Sequence, residues 1–150
     1  MKRIIIFCLI IIMSSLLLSC SDENQSYVTI TPVKGTTVRV NVEVADTPAL
    51  RQQGLMYRDS LGKNDGMIFM MPDEKIQSFW MKDTRIPLDI IFIGSDWKIV
   101  GFAENTKPFS LENITVPYVS KYVLEVNGGF CKKHGIQPGD KLEYHPVKDQ

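Results

Sequence analysis

Charged and aromatic side chains cluster in one short stretch of this sequence, immediately before its most apolar run outside the N-terminus. Six side chains of this cluster can bind or polarise a ligand: Trp80, Lys82, Asp83, Thr84, Arg85 and Asp89. Charged groups this close to a buried strand are costly unless they are paired or hydrogen-bonded. We therefore expect the cluster to line a surface cleft, or else to form a network that stabilises the fold.

Asp89 has the strongest potential for chemistry, because it lies where the chain enters the apolar strand predicted over 88–93. A carboxylate in such a place must be paired or hydrogen-bonded, or its pKa rises. One interpretation makes Asp89 a general base or ligand anchor, with Lys82 or Arg58 close by. The other makes it a structural carboxylate that accepts backbone N–H bonds from the loop 82–87. Both interpretations stay open at the level of the sequence.

Basic side chains accompany the acids of the cluster. Lys82 lies two positions from Trp80, so in an extended chain the two share one face and could bind an anion or stack a sugar. Alternatively, Lys82 is solvated beside a packed ring. Asp83 and Arg85 share the opposite face, where they could form a surface ion pair worth little energy. Upstream, the planar guanidinium of Arg58 suits a carboxylate or phosphate of a ligand, or a buried partner such as Asp89.

These residues predict three classes of function. The first is a binding domain for a small polar or anionic ligand, such as a saccharide, because an aromatic platform beside charged groups suits that task. The second is a hydrolase or lyase in which Asp89 is the base and Lys82 or Arg58 stabilises developing negative charge. The third is a structural or partner-binding protein of the cell envelope. Whether the protein is an enzyme stays open.

The sequence predicts neither a metal site nor a cofactor. Methionine thioethers bind Cu(I), but most methionines of the predicted mature chain fall in apolar strands, where Met is ordinary core filler. Cys131 and His134 lie three positions apart, without the orienting group and oxyanion hole that nucleophilic catalysis requires. We expect Cys131 to be a buried thiol. The sequence has no HExxH, phosphate-loop or GxSxG motif.

The N-terminus has the pattern of an exported protein. Lys2 and Arg3 form a positive n-region, and an apolar h-region follows over 4–13. The sequence Leu-Leu-Ser-Cys that ends at Cys20 resembles a bacterial lipoprotein signal. That resemblance implies removal of residues 1–19 and attachment of a lipid to Cys20. The alternatives are an ordinary secretory signal or an uncleaved anchor.

Lipidation would anchor the protein to a bacterial membrane, and we expect the outer membrane or cell surface rather than the inner membrane. Residues 20–26 then form a tether, and 27–150 form a single domain. Because the signal carries two positive charges, its removal takes the formal net charge from zero to about −2. Nucleic-acid-binding proteins carry a basic stripe instead, so no nucleic-acid partner is predicted.

Alternating apolar residues and turn signals predict a β-rich domain around these candidate residues. The predicted strands are 27–31, 36–44, 66–71, 77–81, 88–93, 97–103, 121–126 and 141–145. One short helix is marked by Thr47, Pro48 and Gly54, and a single helical turn is predicted over 130–134. Without a regular strand–helix alternation, this pattern is typical of an antiparallel sandwich or a barrel-like single domain.

Two further features follow from the same pattern. Alternation in the strand 121–126 places Leu124 and Val126 on the core face and Glu125 on the opposite face. The segment 104–120 is long and irregular, of the kind that often forms a rim or lid.

Five motifs occur in the same order as in a known prokaryotic family. They are Gly54-Leu55-Met56-x-Arg58, Gly66-Met67-Ile68-Phe69, the run from Phe79-Trp80-Met81-Lys82 to Asp89-Ile90-Ile91-Phe92, Val123-Leu124-Glu125-Val126, and Gly135-Ile136-x-x-Gly139-Asp140. Over residues 36–145 the chain resembles family 192 of the domains of unknown function. The resemblance implies a small, β-rich, sandwich-like and often exported domain, and it implies no particular reaction. Where the family's motif usually has Asn, this chain has Asp83.

Overall fold

A computed structural model describes residues 25–147, which form seven strands and two short helices. The elements in chain order are β1 (Tyr27–Thr31), β2 (Val38–Ala45), α1 (Pro48–Gln53), β3 (Asp65–Lys75), β4 (Leu88–Ile93), β5 (Ile99–Ala103), β6 (Ser120–Asn127), α2 (Phe130–His134) and β7 (Lys141–His145). The predicted signal peptide and the predicted lipidation site at Cys20 lie outside the described residues. No helix among residues 25–147 is long and apolar enough to cross a membrane.

All seven strands belong to one sheet in the order β5-β4-β6-β3-β2-β1-β7. Every neighbouring pair is antiparallel except β2 and β3, which run parallel. Parallel neighbours need a crossover connection, and here the crossover carries α1. The predicted mainly β, barrel-like domain is confirmed, in the form of a curled mixed sheet that makes a half-barrel.

The curl brings the two edges of the sheet together at one place. Lys98, just before β5, forms an isolated antiparallel bridge with Lys141 of β7. The amide of Leu142 donates to the carbonyl of Trp97 at 2.8 Å, and the amide of Gly139 donates to the carbonyl of Ile99, also at 2.8 Å. These bonds satisfy edge groups that would otherwise be free to pair with another chain.

The sheet has a core on each of its faces. The inner face of the curl holds aliphatic side chains such as Val40, Ile91 and Leu124, closed at one end by α2. The outer face holds a second cluster that includes Phe69 and Phe92, covered by the connections between strands. All six residues of β4 are therefore buried, as predicted for a strand covered on both faces.

Two predicted strands differ from the structure. The strand predicted to end at Pro72 continues to Lys75, because the register shifts between Met70 and Lys75 and so accommodates a residue without an N–H. The strand predicted over 77–81 is not part of the sheet. Phe79 and Ile114 instead exchange two backbone hydrogen bonds, of 2.8 and 2.9 Å, which fasten this segment to the long loop.

Helix α1 forms where its sequence signals predict it. The Thr47 side chain accepts the Leu50 amide at 3.2 Å, and Pro48 occupies the first turn. Gly54 ends the helix with a φ of 49°, and its amide bonds the Leu50 carbonyl.

Candidate functional site

Asp89 lies fully buried, and main-chain donors occupy both of its carboxylate oxygens. Oδ1 accepts the amides of Asn105 and Gly129 at 2.7 and 2.9 Å, and Oδ2 accepts the amide of Cys131 at 2.8 Å. The donors belong to the long loop and to the start of α2, not to the loop 82–87. This carboxylate therefore joins three distant segments, and the geometry is that of a structural group.

Arg58 does not reach Asp89. Its guanidinium pairs in a bidentate manner with Glu43 of β2, with N–O distances of 2.5 and 2.7 Å. The hydrogen bonds from Arg58 hold the pKa of the Glu43 carboxyl below its usual value. The pairing of Arg58 with Asp89 that the sequence suggested is wrong, because β2 offers a nearer carboxylate.

Of the two remaining pairs that the sequence predicts within the cluster, one forms and the other does not. Lys82 and Trp80 share a face as predicted, with Nζ 5.4 Å from the ring centroid. Asp83 and Arg85 do not pair with each other, because Asp83 has a φ of 53° and breaks the extended geometry. Arg85 bonds Asp59 at 2.6 Å instead.

A pocket of about 170 Å³ opens on the outer face of the sheet, between the end of α1 and the segment 78–84. Its lining has six apolar side chains, six polar or charged side chains and one glycine: Arg51, Gln52, Gln53, Gly54, Leu55, Met56, Phe69, Met71, Ser78, Phe79, Trp80, Thr84 and Glu125. Of the residues predicted for a site, Trp80 and Thr84 line this pocket. The other predicted residues do not.

Glu125 gives this pocket its distinctive chemistry. The residue is only 5% exposed, and no hydrogen bond or ion pair reaches its carboxyl from any residue between 25 and 147. Its register partners are Met67 on β3 and Ile90 on β4, so its strand neighbours are apolar. Burial raises the pKa of the Glu125 carboxyl to about 8. Such a group in a pocket marks a candidate functional site.

Gly54 leaves the carboxyl uncovered. A Cβ at this position would lie 3.3 Å from Cζ of Phe69 and 3.8 Å from Oε2 of Glu125. The positive φ of Gly54 also disfavours any residue with a side chain. At the end of α1, the residue beside the Glu125 carboxyl therefore has no side chain.

A second depression, of about 400 Å³, lies at the start of α2 and includes Lys63, Phe130 and Lys133 in its lining. It is more open than the Glu125 pocket, and no acid lines it. We therefore take the Glu125 pocket as the candidate site.

The sequence model of the family DUF192, described as uncharacterized ACR, matches residues 29–144. This chain belongs to the DUF192 family. A UPF0127 protein of Pyrococcus furiosus is 27% identical over 117 residues, which cover 75% of this chain and 93% of that protein.

Two solved structures are similar to this chain in fold. One, from Sinorhizobium meliloti 1021, is provisionally described as a transcription regulator. It is 39% identical, with a TM-score of 0.77 over 80% of this chain and 93% of its own. The other is a protein of unknown function from Novosphingobium aromaticivorans. It is 40% identical, with a TM-score of 0.75 over 78% of this chain and 83% of its own.

Cys131 of this DUF192 domain is a buried structural thiol, as predicted. Burial and the charge of Asp89 raise the pKa of the thiol far above its usual value, which keeps it protonated and unreactive. Among the described residues, no group of three or more His, Cys, Asp or Glu side chains is placed to hold a metal ion.

Sequence reasoning missed Glu125 as a site residue of this DUF192 domain. Strict alternation assigned it to the solvent face of β6, together with Val123. Both residues are buried, because connections that carry Leu55, Met81 and Val116 cover that face. An apolar Val123 on the supposed solvent face was the available signal that the face is covered.

Proposed function

We propose that this DUF192 domain binds a small organic ligand in the Glu125 pocket, with Glu125 as the polar anchor and Trp80 as part of the wall. The observation that carries the proposal is a buried, unpaired carboxyl in a pocket whose wall includes three aromatic rings. Ligand sites commonly combine such a lining with a few polar groups that fix orientation.

The sequence also predicted a ligand-binding domain, but the proposed site is centred on Glu125 and not on Asp89. Trp80 and Thr84 remain in the site, whereas Asp89, with both oxygens engaged by amides, is left out. A saccharide hydroxyl suits the Glu125 carboxyl, whereas an anionic group would face another acid there. A hydrolase or lyase that uses Asp89 as its base is disfavoured, because no substrate atom can approach a fully buried carboxylate.

The size of the pocket restricts the ligand. A dry cavity of about 150 Å³ is known to hold benzene. The pocket here measures about 170 Å³, so it accepts a group of similar size. Any larger ligand would have to extend past Trp80, which is 45% exposed.

Replacing Trp80 by alanine is expected to weaken ligand binding about tenfold, because loss of an aromatic contact costs about 1.4 kcal/mol. The measurement is ligand-observed NMR of the full chain with a library of benzene-sized fragments. Tyr118→Ala is the matched control, since Tyr118 is an exposed aromatic residue that does not line the pocket. Equal affinity of Trp80→Ala and the native chain for every bound fragment would exclude this pocket as the site.

We propose further that the domain is exported and held at a bacterial membrane by a lipid on Cys20, at the outer membrane or cell surface. The support is the Leu-Leu-Ser-Cys sequence behind an apolar segment. A membrane location would make the pocket an envelope-facing site.

Cys20→Ser is expected to abolish metabolic labelling with palmitate and to leave the precursor uncleaved, because the thiol is the lipid acceptor. Cys8→Ser, inside the apolar segment, is the matched control and should be labelled like the native chain. Persistent labelling of Cys20→Ser would contradict the lipid anchor.

A further inference from the structure

The three buried acids of the described residues differ in how their charge is compensated. Asp89 accepts three amide N–H bonds, and Asp140 accepts the amides of Val33 and Gln137 at 2.8 and 2.7 Å. Glu125 has no such partner among residues 25–147, although it is nearly as buried as the other two. A buried carboxylate normally has a paired cation or several donors. A donor or a positive charge can therefore reach the Glu125 carboxyl through the pocket that it lines.

The walls around Glu125 suit a cation of low hydration. The rings of Phe69 and Phe79 meet edge to face, with centroids 5.1 Å apart, and both line the pocket together with Trp80. The thioether side chains of Met56 and Met71 complete much of the remaining wall. Aromatic faces attract ammonium groups through the ring quadrupole, and pockets with several aromatic rings in their walls can recognise alkylated ammonium ions.

Charged side chains surround the pocket, and one cation already lies near its wall: Nζ of Lys82 is 5.4 Å from the Trp80 ring centroid. On α1, Arg51 lines the pocket, but one of its guanidinium nitrogens bonds the carbonyls of Asp46 and Met70 at 2.6 and 3.1 Å. Those bonds engage this nitrogen with main-chain carbonyls, and no hydrogen bond or ion pair joins Arg51 to Glu125. On β2, Glu43 points to the same face of the sheet as Glu125, and the Arg58 pair neutralises it.

We propose that the anchoring group of the ligand is a small alkylated ammonium, held by the Glu125 carboxylate within the walls of Phe69, Phe79 and Trp80. This proposal rests on the proposed function of the pocket and specifies its ligand class.

The test compares tetramethylammonium with tert-butanol, which has the same shape and no charge. At pH 9 the full chain is expected to bind tetramethylammonium at least tenfold more tightly than tert-butanol. Because burial raises the pKa of Glu125 to about 8, a cation must displace a proton below that pH. The affinity for tetramethylammonium should then fall about tenfold per pH unit between pH 8 and pH 6, while that for tert-butanol does not fall.

Glu125→Gln is expected to remove both the preference for tetramethylammonium and its pH dependence. Glu143→Gln, an exposed acid on β7, is the matched control and should retain both. Binding of tert-butanol by Glu125→Gln shows that this variant keeps a folded pocket.

The possible outcomes distinguish an error in the proposed ligand class from an error in the proposed site. If both compounds bind equally, and Trp80→Ala weakens both, the cationic ligand is overturned while the pocket keeps its proposed function. If neither compound perturbs the resonances of the pocket, the cationic ligand and the proposed binding function both fail. Preference for tetramethylammonium that survives Glu125→Gln also overturns the assignment, because the charge would then be recognised elsewhere.

Discussion

Replacing Asp89 by alanine is expected to lower the free energy of unfolding by about 4 kcal/mol. The substitution leaves the amides of Asn105, Gly129 and Cys131 without their acceptor, and each buried donor left unpaired costs about 1–3 kcal/mol. It also removes the group that fastens α2 and the long loop to β4. The measurement is urea unfolding of the full chain, followed by circular dichroism.

Asn at this position tests the hydrogen-bond geometry. Its carbonyl can keep the two bonds that Oδ1 makes, but its NH₂ group would oppose the amide of Cys131. Asp89→Asn should therefore lie between the native chain and Asp89→Ala in stability. Asp59→Asn is the control, since the Asp59 side chain is 82% exposed and its pair with Arg85 is a surface salt bridge. If Asp89→Asn were as stable as the native chain, Asp89 would not be a structural carboxylate.

The elements that sequence predicts best here are those whose cause is local. Three residues mark the ends of α1: Thr47 and Pro48 at its start, and Gly54 at its end. The helix forms between them. The apolar composition of 88–93 requires cover on both faces, and the structure provides it. In these cases, capping and burial act within one element, so the local sequence is sufficient to predict that element.

The parts that sequence did not predict depend on contacts between distant segments. The donors to Asp89 are 16, 40 and 42 positions away, and no local pattern connects them. Arg58 pairs with Glu43 of β2, 15 positions earlier in the chain, and no local spacing predicts that partner. For Glu125, the missing information was that connections distant in the sequence, with Leu55, Met81 and Val116, cover the outer face of the sheet.

Glu125→Gln is expected to make the protein more stable than the native chain at alkaline pH. The pKa of Glu125 is about 8 in the folded chain, above its ordinary value of 4.5, so the folded state retains a proton that the unfolded state releases. Stability from this group is complete below pH 4.5 and is lost as the pH rises towards 8. The native chain should lose about 1.4 kcal/mol per pH unit relative to Glu125→Gln between about pH 5 and 8.

The difference between the two chains is the informative quantity, because the titration of all other groups cancels in it. It should grow by about 4 kcal/mol between about pH 5 and 8 and then level off. Urea unfolding at several pH values measures it, and Glu143→Gln, which removes an exposed acid, should give a difference that is nearly independent of pH. A constant difference for Glu125→Gln would mean that Glu125 is ionised in the folded chain at neutral pH. The Glu125 carboxylate would then already have a compensating partner. The pocket would therefore lack the unpaired negative charge that a cationic ligand requires.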